Sequence, residues 1–318
     1  MIRALLLLGF FSTCVLAQTP KQSKPRTIKK SLFAVKGFNV GPVIPGLNED
    51  YVPQGMAYDA ATNTLCISLY SAQKSPSVLV HVDVKTKKLL AVQKLKISRS
   101  KSLYGHAGGV GISLDKIFVA SGGKVYCYPK SLQSQTLVPD RVIEAETKAS
   151  FCTYNEDTLF VGEFVYGSKY KSDKSHHVKC RKDLKKYAII CGYDDQQKGP
   201  VFALSIRQKV QGVAVTKDKV YLSVSYGRGN SSSIAVYKNP LSEKPHGEIT
   251  LSSGRTVPLY YLDGVNHTET LTFPPMSEGI AVVDDQLAIL TESGAKKYQR
   301  GGKGPVDHVI YYDLAVWE

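Results

Sequence analysis

The sequence predicts an all-β chain folded as a β-propeller of five four-stranded blades, and three observations carry that expectation. A hairpin-forming motif recurs five times, the copies are spaced as whole blades are, and no helical period competes with the apolar runs. The 318 residues, 43% of them hydrophobic, suffice for a packed core and exclude a wholly disordered, collagen-like or coiled-coil chain. The 19 tyrosines suit strands better than helices.

In chain order, Arg3 precedes the apolar run Ala4–Leu16, too short for a membrane span and followed by Ala17 where a signal peptidase cuts. Residues 1–17 therefore read as a signal peptide, which makes the protein secreted, extracellular or periplasmic. Residues 18–31 carry five positive charges and no acid, the composition of a flexible arm. A single propeller domain is expected over residues 32–318, with no membrane span and as a monomer.

The repeat begins at Gln54-Gly-Met-Ala-Tyr-Asp59 and returns as Gly108-Gly-Val-Gly-Ile-Ser113, Gln211-Gly-Val-Ala-Val-Thr216 and Glu278-Gly-Ile-Ala-Val-Val283. Ser150-Phe-Cys-Thr-Tyr-Asn155 is a degraded copy. A polar turn and a second apolar run follow each time, the pattern of an antiparallel hairpin. Third strands are expected at Val78–Val84, Val125–Tyr128, Tyr187–Ile190, Ile234–Tyr237 and Val309–Tyr312. Fourth strands are expected at Leu89–Leu95, Arg141–Ala145, Val201–Ile206 and Gly247–Leu251. The motif glycines at 55, 109, 212 and 279, with Phe151 in the degraded copy, stand 42 to 67 residues apart, the length of a blade with variable loops. The last unit lacks an outer strand, and Leu32–Phe38 is strand-like and unpaired, so it is expected to complete blade five and close the ring. Six blades remain open if Arg255–Phe273 holds a degenerate unit.

Export permits disulfides. Cys180 and Cys191 bracket a basic insert and form the candidate pair, while Cys66, Cys127 and Cys152 fall inside strand patterns as small hydrophobes.

Blade one, Val52-Pro-Gln-Gly-Met-Ala-Tyr, then Leu-Cys-Ile-Ser-Leu-Tyr-Ser, then Val-His-Val-Asp-Val-Lys-Thr-Lys-Lys-Leu-Leu, resembles the first blade of plant- and bacterial-type glutaminyl cyclases. Its texture is also similar to gluconolactonase-like, strictosidine-synthase-like and quinoprotein-like propellers. The resemblance covers one blade well and implies a secreted five-bladed propeller.

Aligned copies put corresponding residues in one ring at the axial face. Strand starts supply Gln54, His106, Ser150, Gln211 and Glu278; second-strand ends and loops supply Tyr70, Ser121, Glu163, Tyr226, Arg228 and Glu292. Gln54, Ser150, Gln211, Tyr226 and Arg228 are expected to bind a ligand, since unlike polar groups converging on a pocket are what recognition requires. Glu278 and Glu292 lie at the same end of adjacent strands, so one pKa can rise for acid work or the pair can hold a divalent cation. An arginine such as Arg228 or Arg300 neutralising either acid is the plainer alternative. His106, among glycines, and Glu163 complete the candidate catalytic set. No GxSxG elbow or phosphate-binding glycine loop is present.

Three functions compete. The first is binding of a small-molecule, peptide or carbohydrate ligand at the axial face. The second is a hydrolase, lyase or cyclase using the axial carboxylates and the histidine. The third is a scaffold for anionic polymers or surfaces, suggested by the +14 net charge and by the insert Lys169–Lys186 with its net +6. Nucleic acid is excluded as a partner, because secretion removes it and no binding motif appears.

Overall fold

The computed structural model describes residues 19–25, 37–182, 185–196, 198–300 and 304–317. The signal peptide expected over 1–17 lies outside them. Strand β1 (Phe38–Val43) leads the chain, and β2 (Tyr51–Asp59), β3 (Thr64–Ser71), β4 (Val78–Asp83) and β5 (Leu89–Leu95) form blade one. Blade two is β6 (Gly109–Ile112), β7 (Lys116–Ser121) and β8 (Lys124–Pro129). After it, β9 (Thr136–Leu137) crosses to lie parallel to β5, and β10 (Arg141–Glu144) returns as the fourth strand. Blade three contains β11 (Phe151–Asn155) and β12 (Thr158–Gly162). A two-stranded ribbon, β13 (Val178–Lys179) with β14 (Lys185–Lys186), interrupts it before β15 (Ala188–Tyr193) and β16 (Pro200–Ile206). Blade four contributes β17 (Val210–Val215), β18 (Lys219–Val224) and β19 (Ser232–Lys238). The hairpin β20 (Gly247–Thr250) and β21 (Thr256–Tyr261) follows, then β22 (His267–Phe273). Blade five is β23 (Ser277–Val283), β24 (Gln286–Thr291) and β25 (His308–Asp313), completed by β1.

Among the described residues the strands thus make a five-bladed propeller. Two expectations need correction. Gly247–Leu251 is not the fourth strand of blade four. It belongs to β20, and with β21 it extends blade three by parallel pairing of β21 on β16, because Ile249, Val257 and Leu259 are buried in the core shared with blade two. The true fourth strand, β22, lies within the stretch considered for a sixth blade, so no sixth blade forms among the described residues. Ring closure by the N-terminal strand holds, but with a later segment: Phe38 pairs with Tyr312 and Val43 with His308. Residues 32–36 lie outside the described part.

Each blade is covered on both flanks, so alternate side chains of one strand serve two different cores. On β3, Leu65, Ile67 and Leu69 pack toward blade five, while Cys66 packs toward blade two. Five apolar clusters result, one between each pair of neighbouring blades. At the hub the missing side chains of the motif glycines set how closely inner strands approach. A Cβ on Gly55 would lie 2.6 Å from the Gly109 Cα, and one on Gly279 would lie 2.6 Å from the Met56 nitrogen. Phe151 replaces glycine in the degraded copy because its ring turns outward over Gly162, filling the space a Cβ there would take.

Residues 19–25 of the arm are not free. The Gly46 N–H donates to the Lys21 carbonyl at 3.0 Å, the Leu89 N–H to Gln22 Oε1 at 2.8 Å, and the Leu47 N–H to the buried Ser23 hydroxyl at 3.2 Å.

Among the described residues the five cysteines form no disulfide, which corrects the pairing of Cys180 with Cys191. The ribbon lays Cys180 Sγ 3.3 Å from Ser205 Oγ, which is opposite Ile189 in the sheet. Cys191 sits further along β15, opposite Ala203, with its thiol pushed up by burial.

Candidate functional site

Three of the five inner strands carry a β-bulge, and each bulge falls on a candidate residue. The register shifts between Pro53 and Met56, between Val210 and Gly212, and between Ser277 and Ile280. One extra residue bends the strand and re-aims a side chain, here Gln54, Gln211 and Glu278. The Gly55 N–H at the first bulge donates instead to the buried Ser68 hydroxyl at 2.8 Å. Each bulged strand is also entered through a residue in the left-handed region: Asp50 at φ 63°, Lys209 at 67° and Met276 at 70°. Their carbonyls accept the N–H of Ala72, Ser225 and Glu292 at 2.8, 2.9 and 3.0 Å. Strands β6 and β11 have no bulge, and they bring only short or glycine-flanked groups to the axis, His106 with Gly108 and Ser150.

Gln54, His106, Ser150, Gln211, Tyr226, Glu278 and Glu292 line one cavity of about 470 Å³ at the axial face. The sequence reading brought these seven together. At its floor the carboxyls of Glu278 and Glu292 face one another. Gln211 Nε2 donates to Glu278 at 3.1 Å, and Gln54 Nε2 to Glu292 at 3.2 Å, so acids from blade five are held by amides from blades four and one.

Burial first, and then the facing Glu292 charge, push the Glu278 carboxyl well above its ordinary range. Burial also raises Glu292, to about 7, opposed by Lys297, by hydrogen bonds from Gln54 and Tyr298, and by Arg228. The pair therefore keeps a proton near neutrality. His106 stacks on Tyr70 with ring centres 4.3 Å apart, and burial together with Lys297 lowers its pKa, favouring the neutral imidazole.

Glu163 and Arg228 do not line this cavity. Glu163 is buried beside the insert, where it pairs with His176 Nδ1 at 2.8 Å and accepts the Ile189 N–H at 3.3 Å. Arg228 lies at the rim, its guanidinium 4.8 Å from the Tyr298 ring centre.

Sequence reasoning missed Tyr298, Phe164 and Tyr170 on the walls, and Lys297, which donates to the Tyr70 hydroxyl at 2.9 Å. Lys296 beside it turns instead to Asp50 at 3.4 Å. A signal was present for Phe164: like Tyr70 and Tyr226, it stands just where a second strand runs out.

Among the described residues no group of three or more His, Cys, Asp or Glu side chains is placed to hold a metal ion. The Glu278–Glu292 pair, the carboxyls considered for a cation, faces amide N–H donors, a setting suited to a shared proton.

No family model matches the chain, and no curated protein does. Solved structures similar in overall shape include glutaminyl cyclase from Myxococcus xanthus, at 7% identity and TM-score 0.46, covering 87% of this chain and 97% of that one. A luciferin-regenerating enzyme matches at 12% identity and TM-score 0.45, covering 86% and 94%. A GH43_1 enzyme from Xanthomonas citri complexed with xylose matches at 10% and 0.47, covering 86% and 89%. The sheet topology of the described residues makes the chain a five-bladed β-propeller.

Proposed function

We propose that the protein is a secreted propeller that binds a small polar ligand in the axial cavity, with Glu278 and Glu292 as its floor. One observation carries this reading: two buried carboxyls meet amides from two other blades inside a cavity of about 470 Å³, a size typical of ligand pockets. Such a pair offers one donor beside one acceptor, the complement of a hydroxyl or an amide. The apolar run at Ala4–Leu16 supports export.

Calorimetric titration with neutral and acidic saccharides, amino acids and dipeptides tests the reading. Wild-type protein should bind one class saturably, and Glu278→Gln/Glu292→Gln should weaken it by about tenfold or more. Equal binding by that variant, or no binding of any class, overturns the reading.

A second reading, general acid–base catalysis in the same cavity, is favoured by Glu292 being pushed up to about 7, where it both takes and gives a proton at neutral pH. Catalysis predicts that Glu292→Gln retains binding and loses turnover.

A further inference from the structure

Around the aromatic lining of the cavity stand four cations, each set against a ring that lines it or adjoins one that does. Lys297 Nζ lies 5.0 Å from the Tyr298 ring centre, and Arg228 covers the same ring at 4.8 Å. Lys209 sits 4.4 Å from the ring centre of Tyr166 and 5.9 Å from that of Tyr226. Lys169, from the basic insert, lies 5.2 Å from the Tyr170 ring centre. Among the described residues none of these four cations forms a salt bridge. They come from four separate loops, and each is seated on an aromatic face that orients its charge without neutralising it. Lys209 is moreover held in the left-handed region, a conformation a lysine pays to adopt.

The walls of the cavity are flat and aromatic. Phe164, Tyr170 and Tyr226 form one side, with Phe164 and Tyr226 stacked at 6.3 Å, and His106 and Tyr298 stand among the lining residues as well. Aromatic faces take the apolar C–H face of a ring while their polar tips remain available to hydroxyls. The site thus offers a donor–acceptor pair, aromatic planes, and a collar of unpaired positive charge.

Resting on the axial-site reading, we infer that the ligand is an acidic saccharide: a sugar ring between the aromatic walls, hydroxyls on the Glu278–Glu292 pair, and its anionic group on Lys297 and Arg228. A sugar brings adjacent hydroxyls and an anionic substituent on one compact ring, whereas an acidic peptide satisfies the collar and leaves the aromatic planes and the floor without ring or hydroxyl partners.

The test is titration of the full-length mature protein with trigalacturonate, cellotriose and tri-aspartate at low and high ionic strength. Trigalacturonate should bind about tenfold or more tighter than cellotriose at low salt, an advantage that shrinks as salt screens the collar. Arg228→Ala/Lys297→Ala should remove about tenfold of trigalacturonate affinity and leave cellotriose affinity within about twofold, with unchanged thermal melting showing that the variant folds. Equal affinity for the two saccharides, an advantage insensitive to that double variant, or tighter binding of tri-aspartate overturns the inference. Its failure is separable from failure of the axial site, because Glu278→Gln/Glu292→Gln should weaken binding of whatever ligand the cavity holds by about tenfold or more, for charged and neutral sugars alike.

Discussion

Replacing Glu278 and Glu292 together by glutamine should change how stability depends on pH. An unfolded glutamate releases its proton near 4.5, while folded Glu292 releases it near 7. Between those values the folded state holds the extra proton, so the pair's contribution is fully present below about pH 4.5 and is lost as pH rises toward 7. At about 1.4 kcal/mol for each unit of pKa, Glu292 alone corresponds to about 3 kcal/mol, and Glu278, raised further, adds to the loss at higher pH. The assay is urea denaturation of wild type and Glu278→Gln/Glu292→Gln at a series of pH values from 4 to 8. All other ionisable groups are common to both proteins, so the difference between them isolates the pair. The variant should gain on wild type by about 3 kcal/mol or more across that range. A difference that stays flat, or that grows as pH falls, refutes the argument that the two carboxyls are buried against one another.

Gly279→Ala should cost about 3 kcal/mol by denaturation, since its new Cβ meets backbone at 2.6 Å, whereas Gly229→Ala, in open space, should stay within about 0.5 kcal/mol. Intact mass measured with and without reductant should be identical, because no disulfide joins Cys180 to Cys191; a mass gain on reduction refutes this. His176→Ala should cost about 3 kcal/mol by leaving Glu163 buried without its partner, and should speed tryptic cleavage within residues 169–186 relative to wild type; unchanged cleavage refutes the view that this pair fastens the insert.

The blade count and hub were legible because they rest on repetition. Gln-Gly, Gln-Gly and Glu-Gly mark the bulged strands, and glycine there is dictated by backbone approach across the axis. What resisted reading was the outer edge of the blades. Strand β22 runs His267-Thr-Glu-Thr, mostly exposed, so it carries no apolar pattern, whereas β20 and β21 carry a good one and use it on blade three. The closing strand was masked by Gly41 and Pro42, weak strand formers tolerated because little else fits: a Cβ on Gly41 would lie 2.7 Å from the Val309 carbonyl oxygen. At the site, acids and amides were found from the motif itself, while Lys297 and Tyr298 sit on a loop without any copy elsewhere in the chain. Glu163 held the right sequence offset, but the insert following it supplied His176 and drew it away from the axis.

Because blade five joins β1 to β25, which lies about 270 residues later in sequence, the ring stays open until β25 has been made. A growing polypeptide emerging from the ribosome would hold a first blade whose flank against blade five is bare and a β1 with nothing to pair against.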